Sequence, residues 1–328
     1  MSATYRKIIV DEIGPPEVMR LVEETAAAPG AGEVFIRQEA IGVDYIDTQM
    51  RSGIMPATLP TGLGFGAVGT VEAVGPGVTH VKAGDRVAYV YAVAGSYAEA
   101  RTVPAERVVR LPDQAIPAEA AAGALFRGVT AWYLSTRLRE IKPGDFVLVH
   151  AAAGGVGLIL IQWLKHLGAI VIGTVETPEK IAVLREYGCD HAILLTEEDF
   201  VARVKEITGG KGVSVVYESI GKETFDRSLE CAARFGLIVS FGWPSGDVEP
   251  ISLANLRNKG SLFVTRPTVS HYTADAGDFR TGAGALFDLI AKGAIRIKVG
   301  NSYPLADAPK AHADLVAQRT LGSVVLTV

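Results

Sequence analysis

From Tyr5 to about Arg110 the apolar positions come in short alternating runs broken by Gly and Pro, with no sustained helical period. Period-two alternation marks half-buried strands, so this stretch is predicted to be β-rich. Its clearest runs cover 33–39, 69–74 and 86–90, with turn chemistry at Pro29-Gly30, Gly75-Pro76-Gly77 and Ala83-Gly84-Asp85. From about Pro117 the texture changes to an Ala-rich helix, and then to apolar runs at 146–150, 170–175, 192–195, 213–218 and 237–242 that alternate with helical stretches. Such alternation predicts a parallel sheet with helices on both faces. One more strand is expected from Ser261 to Thr265, then a polar, turn-prone piece after Pro267, a helix over 282–292 and a last strand over 323–327. There is no internal repeat at a fixed period and no low-complexity tract.

The run Phe-Val-Leu-Val-His-Ala-Ala-Ala-Gly-Gly-Val-Gly at 146–157 carries the strongest functional signal. It reads as a buried strand feeding a glycine turn and a helix over 156–167, with a second strand from Ala169. Gly154, Gly155 and Gly157 let backbone approach a phosphate, and the amides around Val156 supply donors at the positive end of the helix dipole. Strand, turn, helix and strand within about 30 residues are the context in which a dinucleotide pyrophosphate is held. In the usual Gly-x-Gly-x-x-Gly spacing the first glycine would fall at Ala152, so the match is partial.

Composition narrows the classes. A chain of 328 residues predicts about two domains. A net charge of −4 offers no electrostatic footprint for nucleic acid or an anionic membrane. No apolar run reaches the ~18 residues of a membrane span, and the N-terminal dozen, with Arg6, Lys7, Asp11 and Glu12, lacks a signal-peptide core. The expectation is a soluble, cytoplasmic protein. Cys189 and Cys231 are too few for a Cys-rich zinc site, and the six histidines show no short ligand spacing, so no metal is expected. Glu197, Glu198 and Asp199 are expected to begin a helix and complement its dipole, and Lys142-Pro143-Gly144-Asp145 to form the turn that launches the strand at 146.

Several motifs carry a family likeness: Gly14-Pro15-Pro16-Glu17-Val18, Ala40-Ile41-Gly42-Val43 with Ile46-Asp47-Thr48, Arg51-Ser52-Gly53, Gly75-Pro76-Gly77-Val78, Ala83-Gly84-Asp85-Arg86-Val87, the glycine turn, and Ile207-Thr208-Gly209-Gly210. Essentially end to end, the chain resembles the quinone oxidoreductase (zeta-crystallin-like) branch of the zinc-free medium-chain dehydrogenase/reductase superfamily. The resemblance implies an α/β protein in which a GroES-like β-rich catalytic domain, 1–124 with 268–328 returning to it, accompanies a doubly wound parallel-sheet Rossmann domain over 125–267. It also implies transfer of reducing equivalents from NAD(P)H to a quinone in an interdomain cleft, without zinc, in a homodimer joined through the edge strand from Ser261 to Thr265.

Carried over residue by residue, the resemblance places Asp44, Tyr45, Asp47 and Gln49 at the catalytic site. Asp44 stands where the family usually has Asn, Gln49 where Tyr is common and Gly66 where Glu is usual. Asp44 is read either as protonated, altering the polarity of the site, or as ionised and solvent-facing. Zinc ligands of the metal-dependent relatives would fall near Asp44 and Phe65, neither a Cys nor a His. For the cofactor the resemblance points to Arg127, Thr130, the Gly154-Gly155-Val156-Gly157 turn, Ser219 and Phe241-Gly242. At the adenosine end Lys180 matches the NADP-using pattern, but Glu176, Leu195 and Gln318 replace its small residue, Tyr and Arg, with Arg319 one position along. A carboxylate repels a 2′-phosphate and accepts hydrogen bonds from an unmodified ribose, so NADH is expected over NADPH. Two alternatives stay open: reduction of α,β-unsaturated ketones or aldehydes, with Tyr45 or a protonated Asp44 as proton donor, and a non-catalytic nucleotide-binding role of the crystallin or RNA-binding kind.

Overall fold

The computed structural model describes residues 4–112 and 116–328. Its contacts divide the chain into two compact units. One comprises the described residues up to Val129 with Ala274–Gly293 and Ile297–Val328, the other Thr130–Thr273 with Ala294–Arg296.

The first unit opens with an antiparallel hairpin of β1 (Thr4–Val10) and β2 (Met19–Thr25), in register from Thr4 opposite Thr25 to Val10 opposite Met19. The long strand β3 (Glu33–Val43) follows. It runs past the predicted end at Glu39 because Ala40, Ile41 and Val43 are fully buried and Gly42 has no Cβ to strike the Ala122 carbonyl, which would lie 2.8 Å from it. Helix α1 (Tyr45–Ser52), absent from the sequence expectation, starts at Asp44 as N-cap and ends at Gly53, whose φ of 82° only glycine adopts freely. Strands β4 (Gly66–Val74), β5 (Arg86–Val90), β6 (Ala100–Pro104) and β7 (Val108–Arg110) precede the Ala-rich helix α2 (Ala118–Thr136).

The second unit alternates strand and helix: β8 (Phe146–Val149), α3 (Gly155–His166), β9 (Ile170–Val175), α4 (Pro178–Glu186), β10 (His191–Leu194), α5 (Phe200–Ile207), β11 (Val213–Glu218), α6 (Phe225–Ser228), β12 (Ala232–Ser240), α7 (Leu253–Asn258), β13 (Phe263–Thr265) and α8 (Val269–Tyr272). The strands form one parallel sheet in the order β10-β9-β8-β11-β12-β13. From β8 the chain winds outward to β10, then crosses back to β11 and winds the other way. The order therefore reverses between β8 and β11, where doubly wound sheets bind ligands at their strand C-termini. Val147, Leu148, Val171, Ile172, Val216 and Ile238 fill the sheet with apolar side chains buried on both faces. Asp199 does not begin a helix but caps one, accepting from the Val201 and Ala202 amides at 2.9 and 3.2 Å, and Glu198 turns back to the Leu194 amide at 3.0 Å. The piece after Pro267 carries the single turn α8 rather than only loop.

The chain returns through α9 (Ala276–Ala291), β14 (Val299–Pro304), α10 (Ala308–Val316) and β15 (Ser323–Thr327). Helix α9 begins six residues before the predicted start because Asp275 caps it, accepting from the Gly277 and Asp278 amides. Strand β15 pairs antiparallel with β3, completing a seven-stranded sheet of order β14-β15-β3-β4-β5-β7 with β6 also on β3. Val34, Ile36, Tyr89, Tyr97 and Val324 lie in its core. Among the described residues no helix is long and apolar enough to cross a membrane.

Candidate active site

In the second unit, the residues after β8 form a tight turn that ends on Gly154, the N-cap of α3. The Gly154 amide bonds back to the Ala151 carbonyl at 2.9 Å, and the Ala152 amide bonds to the Thr174 carbonyl at 3.0 Å. Ala151 itself has φ 45°, in the left-handed region. A Cβ on Gly157 would lie 2.5 Å from the Ala152 carbonyl oxygen, so only glycine lets α3 start this close to the turn. Gly154 is exposed and Gly155 and Val156 are half-buried. The first-turn amides of a twelve-residue helix are thus presented at a strand C-terminus, a cradle that fits a pyrophosphate.

The neighbouring strand ends close on the same place. Ser219, following β11, donates from Oγ to the His150 carbonyl at 2.9 Å. The Phe241 amide bonds to the Glu218 carbonyl at 2.9 Å, and a Cβ on Gly242 would meet the Ser219 carbonyl oxygen at 2.6 Å. The glycine turn, Ser219 and Phe241-Gly242 therefore sit at the C-terminal ends of the adjacent strands β8, β11 and β12. Glu176, just after β9, receives at 3.2 Å the Nζ of Lys180, which lies in the first turn of α4. Leu195 packs against the core of this unit rather than presenting a polar group. Arg319 sits in the other unit with both Nε and Nη2 on Asp314 Oδ1, at 2.9 and 2.6 Å, and Asp314 also takes Lys310 and the Tyr303 hydroxyl. Those cations and the hydroxyl hold the Asp314 carboxyl well below the usual range.

The catalytic candidates lie in the first unit, on and beside α1. Asp44 is neither solvent-facing nor alone: it is 6% exposed, with Oδ1 3.1 Å from Arg127 Nε. Arg127, expected at the cofactor, commits the rest of its guanidinium to the Gly123 carbonyl at 2.8 Å and to the Val43 carbonyl. Burial raises the Asp44 pKa and the Arg127 charge pulls it back. Asp47, fully buried, accepts the Asp44 amide at 2.8 Å and the Tyr97 hydroxyl at 3.0 Å. Desolvation, and after it the Asp44 charge, push Asp47 up to about 8. Tyr97 in turn lies 2.9 Å from His312 Nε2 on α10, and burial followed by the nearby Arg51 pushes that imidazole down to about 3. Gln49 is buried, and Thr130 is buried on α2. Tyr45, at 39% exposed, is the accessible one of the four catalytic candidates. Sequence reasoning missed Tyr97 and His312, which no motif or spacing links to Asp47.

Zinc does not fit these residues. Asp44 is engaged by Arg127, Phe65 stacks on Phe126 with ring centroids 6.1 Å apart, and no three His, Cys, Asp or Glu side chains among the described residues come together as a metal cage.

Two family models match: Alcohol dehydrogenase GroES-like domain over residues 30–113 and Zinc-binding dehydrogenase over residues 155–285. The chain is 46% identical over 316 residues to quinone oxidoreductase 1 of Escherichia coli, covering 95% of this chain and 96% of that protein. It is 42% identical over 325 residues to a 2-haloacrylate reductase from Burkholderia, covering 97% of each. Among solved structures, the Escherichia coli quinone oxidoreductase complexed with NADPH superposes with a TM-score of 0.95 at 46% identity, covering 99% of this chain and all of that one.

Proposed function

The chain belongs to the quinone oxidoreductase family of medium-chain dehydrogenases/reductases, and we propose that it is an NAD(P)H-dependent quinone reductase that works without a metal. The observation that carries this reading is the convergence of the α3 N-terminus, Ser219 and Phe241-Gly242 on the C-terminal ends of three adjacent strands. Bound there, a reduced nicotinamide supplies a hydride. The protein's part is to hold the pyrophosphate on the amides around Gly154-Gly155-Val156-Gly157, and to seat the nicotinamide end against Ser219 and Phe241-Gly242. A quinone reduced to its aromatic form leaves an oxyanion that water protonates, so no dedicated acid is required. This agrees with a catalytic-side network in which Asp44 is paired with Arg127 and Asp47 holds a proton.

The adenosine end supports NADH over NADPH. Lys180 shares its charge with Glu176 at 3.2 Å, and the carboxylate remains to repel a 2′-phosphate. The Escherichia coli relative was solved with NADPH, so the two cofactors are to be compared directly on this protein. Strand β13 ends the sheet with its outer edge unpaired and Phe263 exposed, which supports a homodimer joined edge to edge. We place the protein in the cytoplasm.

A second reading is reduction of an activated carbon–carbon double bond, favoured by the likeness to the 2-haloacrylate reductase. It needs a proton donor for the α-carbon, and Tyr45 is the candidate hydroxyl that is accessible. The test is initial rates of NADH and NADPH oxidation with 1,4-benzoquinone on metal-free protein, repeated with an enone and with Glu176→Ser. We expect quinone turnover, faster with NADH, and a shift of the ratio toward NADPH in Glu176→Ser. A strong NADPH preference in the unaltered protein overturns the adenosine-end reading, and no turnover with either cofactor and either acceptor overturns the enzyme.

A further inference from the structure

A buried polar chain runs beneath the strand ends of the second unit, outside the groups used above. Thr174 on β9, His150 after β8, Ser228 at the end of α6 and Glu218 at the end of β11 are all within 1% of complete burial. His150 Nδ1 lies 2.9 Å from Thr174 Oγ1, His150 Nε2 lies 2.9 Å from Ser228 Oγ, and Ser228 Oγ lies 2.6 Å from Glu218 Oε2. Glu218 Oε1 accepts the Ile220 and Gly221 amides at 2.8 and 3.2 Å and the Thr224 hydroxyl at 2.9 Å.

The direction of each bond follows from the carboxylate, which only accepts. Ser228 donates to Glu218, so it accepts from His150 Nε2–H. Burial disfavours the charged imidazole, and a neutral ring that carries its proton on Nε2 accepts the Thr174 hydroxyl at Nδ1. The His150 backbone is held as firmly: its amide bonds to the Tyr217 carbonyl at 3.0 Å and its carbonyl accepts Ser219 Oγ. Immediately after it comes Ala151, in a left-handed conformation that an L side chain adopts only at a cost. Such a residue persists where its surroundings over-determine it.

We propose that Thr174, His150, Ser228 and Glu218 are positioning residues for the nucleotide: they fix the His150 ring and backbone, and thereby keep Ala151 in the strained turn that aims the Gly154–Gly157 amides. The proposal rests on the nucleotide-binding reading above. Through Ser219 the same chain ties the glycine turn to the loop after β11, so both parts of the cradle depend on it.

The test separates the hydroxyl from packing. Thr174→Val keeps the side-chain shape and removes the donor to His150, whereas Thr174→Ser keeps the donor and removes a buried methyl. Dissociation constants for NADH and NADPH are read from nucleotide fluorescence, alongside the melting temperature of the free protein. Thr174→Val is expected to weaken both nucleotides about tenfold, the scale of one lost hydrogen bond, and Thr174→Ser to bind within about twofold of the unaltered protein despite a lower melting temperature. Ser228→Ala, which breaks the chain on the other side of the ring, is expected to behave as Thr174→Val. Affinity that follows melting temperature instead of the hydroxyl, or Val and Ala variants that bind as the unaltered protein does, would overturn the proposal. An unaltered protein that binds neither nucleotide would overturn the underlying reading and the proposal with it.

Discussion

Replacing Asp47 with Asn should remove a specific pH dependence from the stability of the first unit. Two buried carboxylates, Asp44 and Asp47, share one guanidinium, and Asp44 holds it at 3.1 Å. Asp47 is left with the Asp44 amide and the Tyr97 hydroxyl, and desolvation followed by the Asp44 charge outweighs them, taking its pKa from 3.8 up to about 8. The unfolded chain releases this proton near pH 4 and the folded chain near pH 8, so between those values the fold binds one proton more. Its stabilising contribution is complete below pH 4 and is lost as the pH rises toward 8, at about 1.4 kcal/mol per pH unit. Asn at position 47 still accepts both hydrogen bonds and does not titrate. The stability difference between the two proteins should therefore change by about 3 kcal/mol from pH 5 to pH 7. Equilibrium urea unfolding at pH 5, 6 and 7, followed by circular dichroism, reads this slope. Trp132, Trp163 and Trp243 all belong to the second unit, so their fluorescence is the internal control. If the two proteins lose stability in parallel from pH 5 to 7, Asp47 is ionised in the fold and the reasoning fails.

Arg127→Met should cost about 3–5 kcal/mol at neutral pH by leaving Asp44 buried without its counter-ion, and Asp44→Asn in the same chain should recover most of it, a double-mutant cycle readable by urea unfolding. Cys189 and Cys231 are both buried, and desolvation pushes each up to about 12, so neither supplies a thiolate at neutral pH. Ellman's reagent should titrate no thiol in the native protein within minutes and two after denaturation. Rapid native labelling would contradict the burial. The same inertness would spare the protein from arylation by a quinone, which reacts with thiolates.

The two halves of the chain differ in how much of their structure the sequence reveals. Strands β8, β9 and β11 announced themselves because a parallel sheet covered on both faces makes continuous apolar runs such as Val147 to Val149. Strand β12 was foreseen only from Leu237, since its first residues include the exposed Phe235, held at φ 62° where an apolar run would not predict strand. Helix α1 was missed for the opposite reason. It buries Asp47, Thr48, Gln49 and Arg51 and exposes Tyr45, so its burial does not follow the apolar positions that a sequence reading looks for.

What defeated the sequence at α1 also decides how Asp44 is understood. Motif matching located Asp44 and Arg127 separately, one as a catalytic candidate and one as a cofactor contact, because a match fixes position and says nothing about partner. Placed together, they explain each other. An Asn at position 44 would leave a guanidinium that is itself 6% exposed without a directly paired carboxylate, whereas Asp44 gives it a counter-ion at 3.1 Å. Desolvation is what chiefly raises the Asp47 pKa, and the charge so introduced raises it further. The departure from the family's Asn thus reads as charge compensation inside the first unit, one that adds to the strain on a second carboxylate three residues along, and Tyr45, 39% exposed, is left as the accessible catalytic candidate.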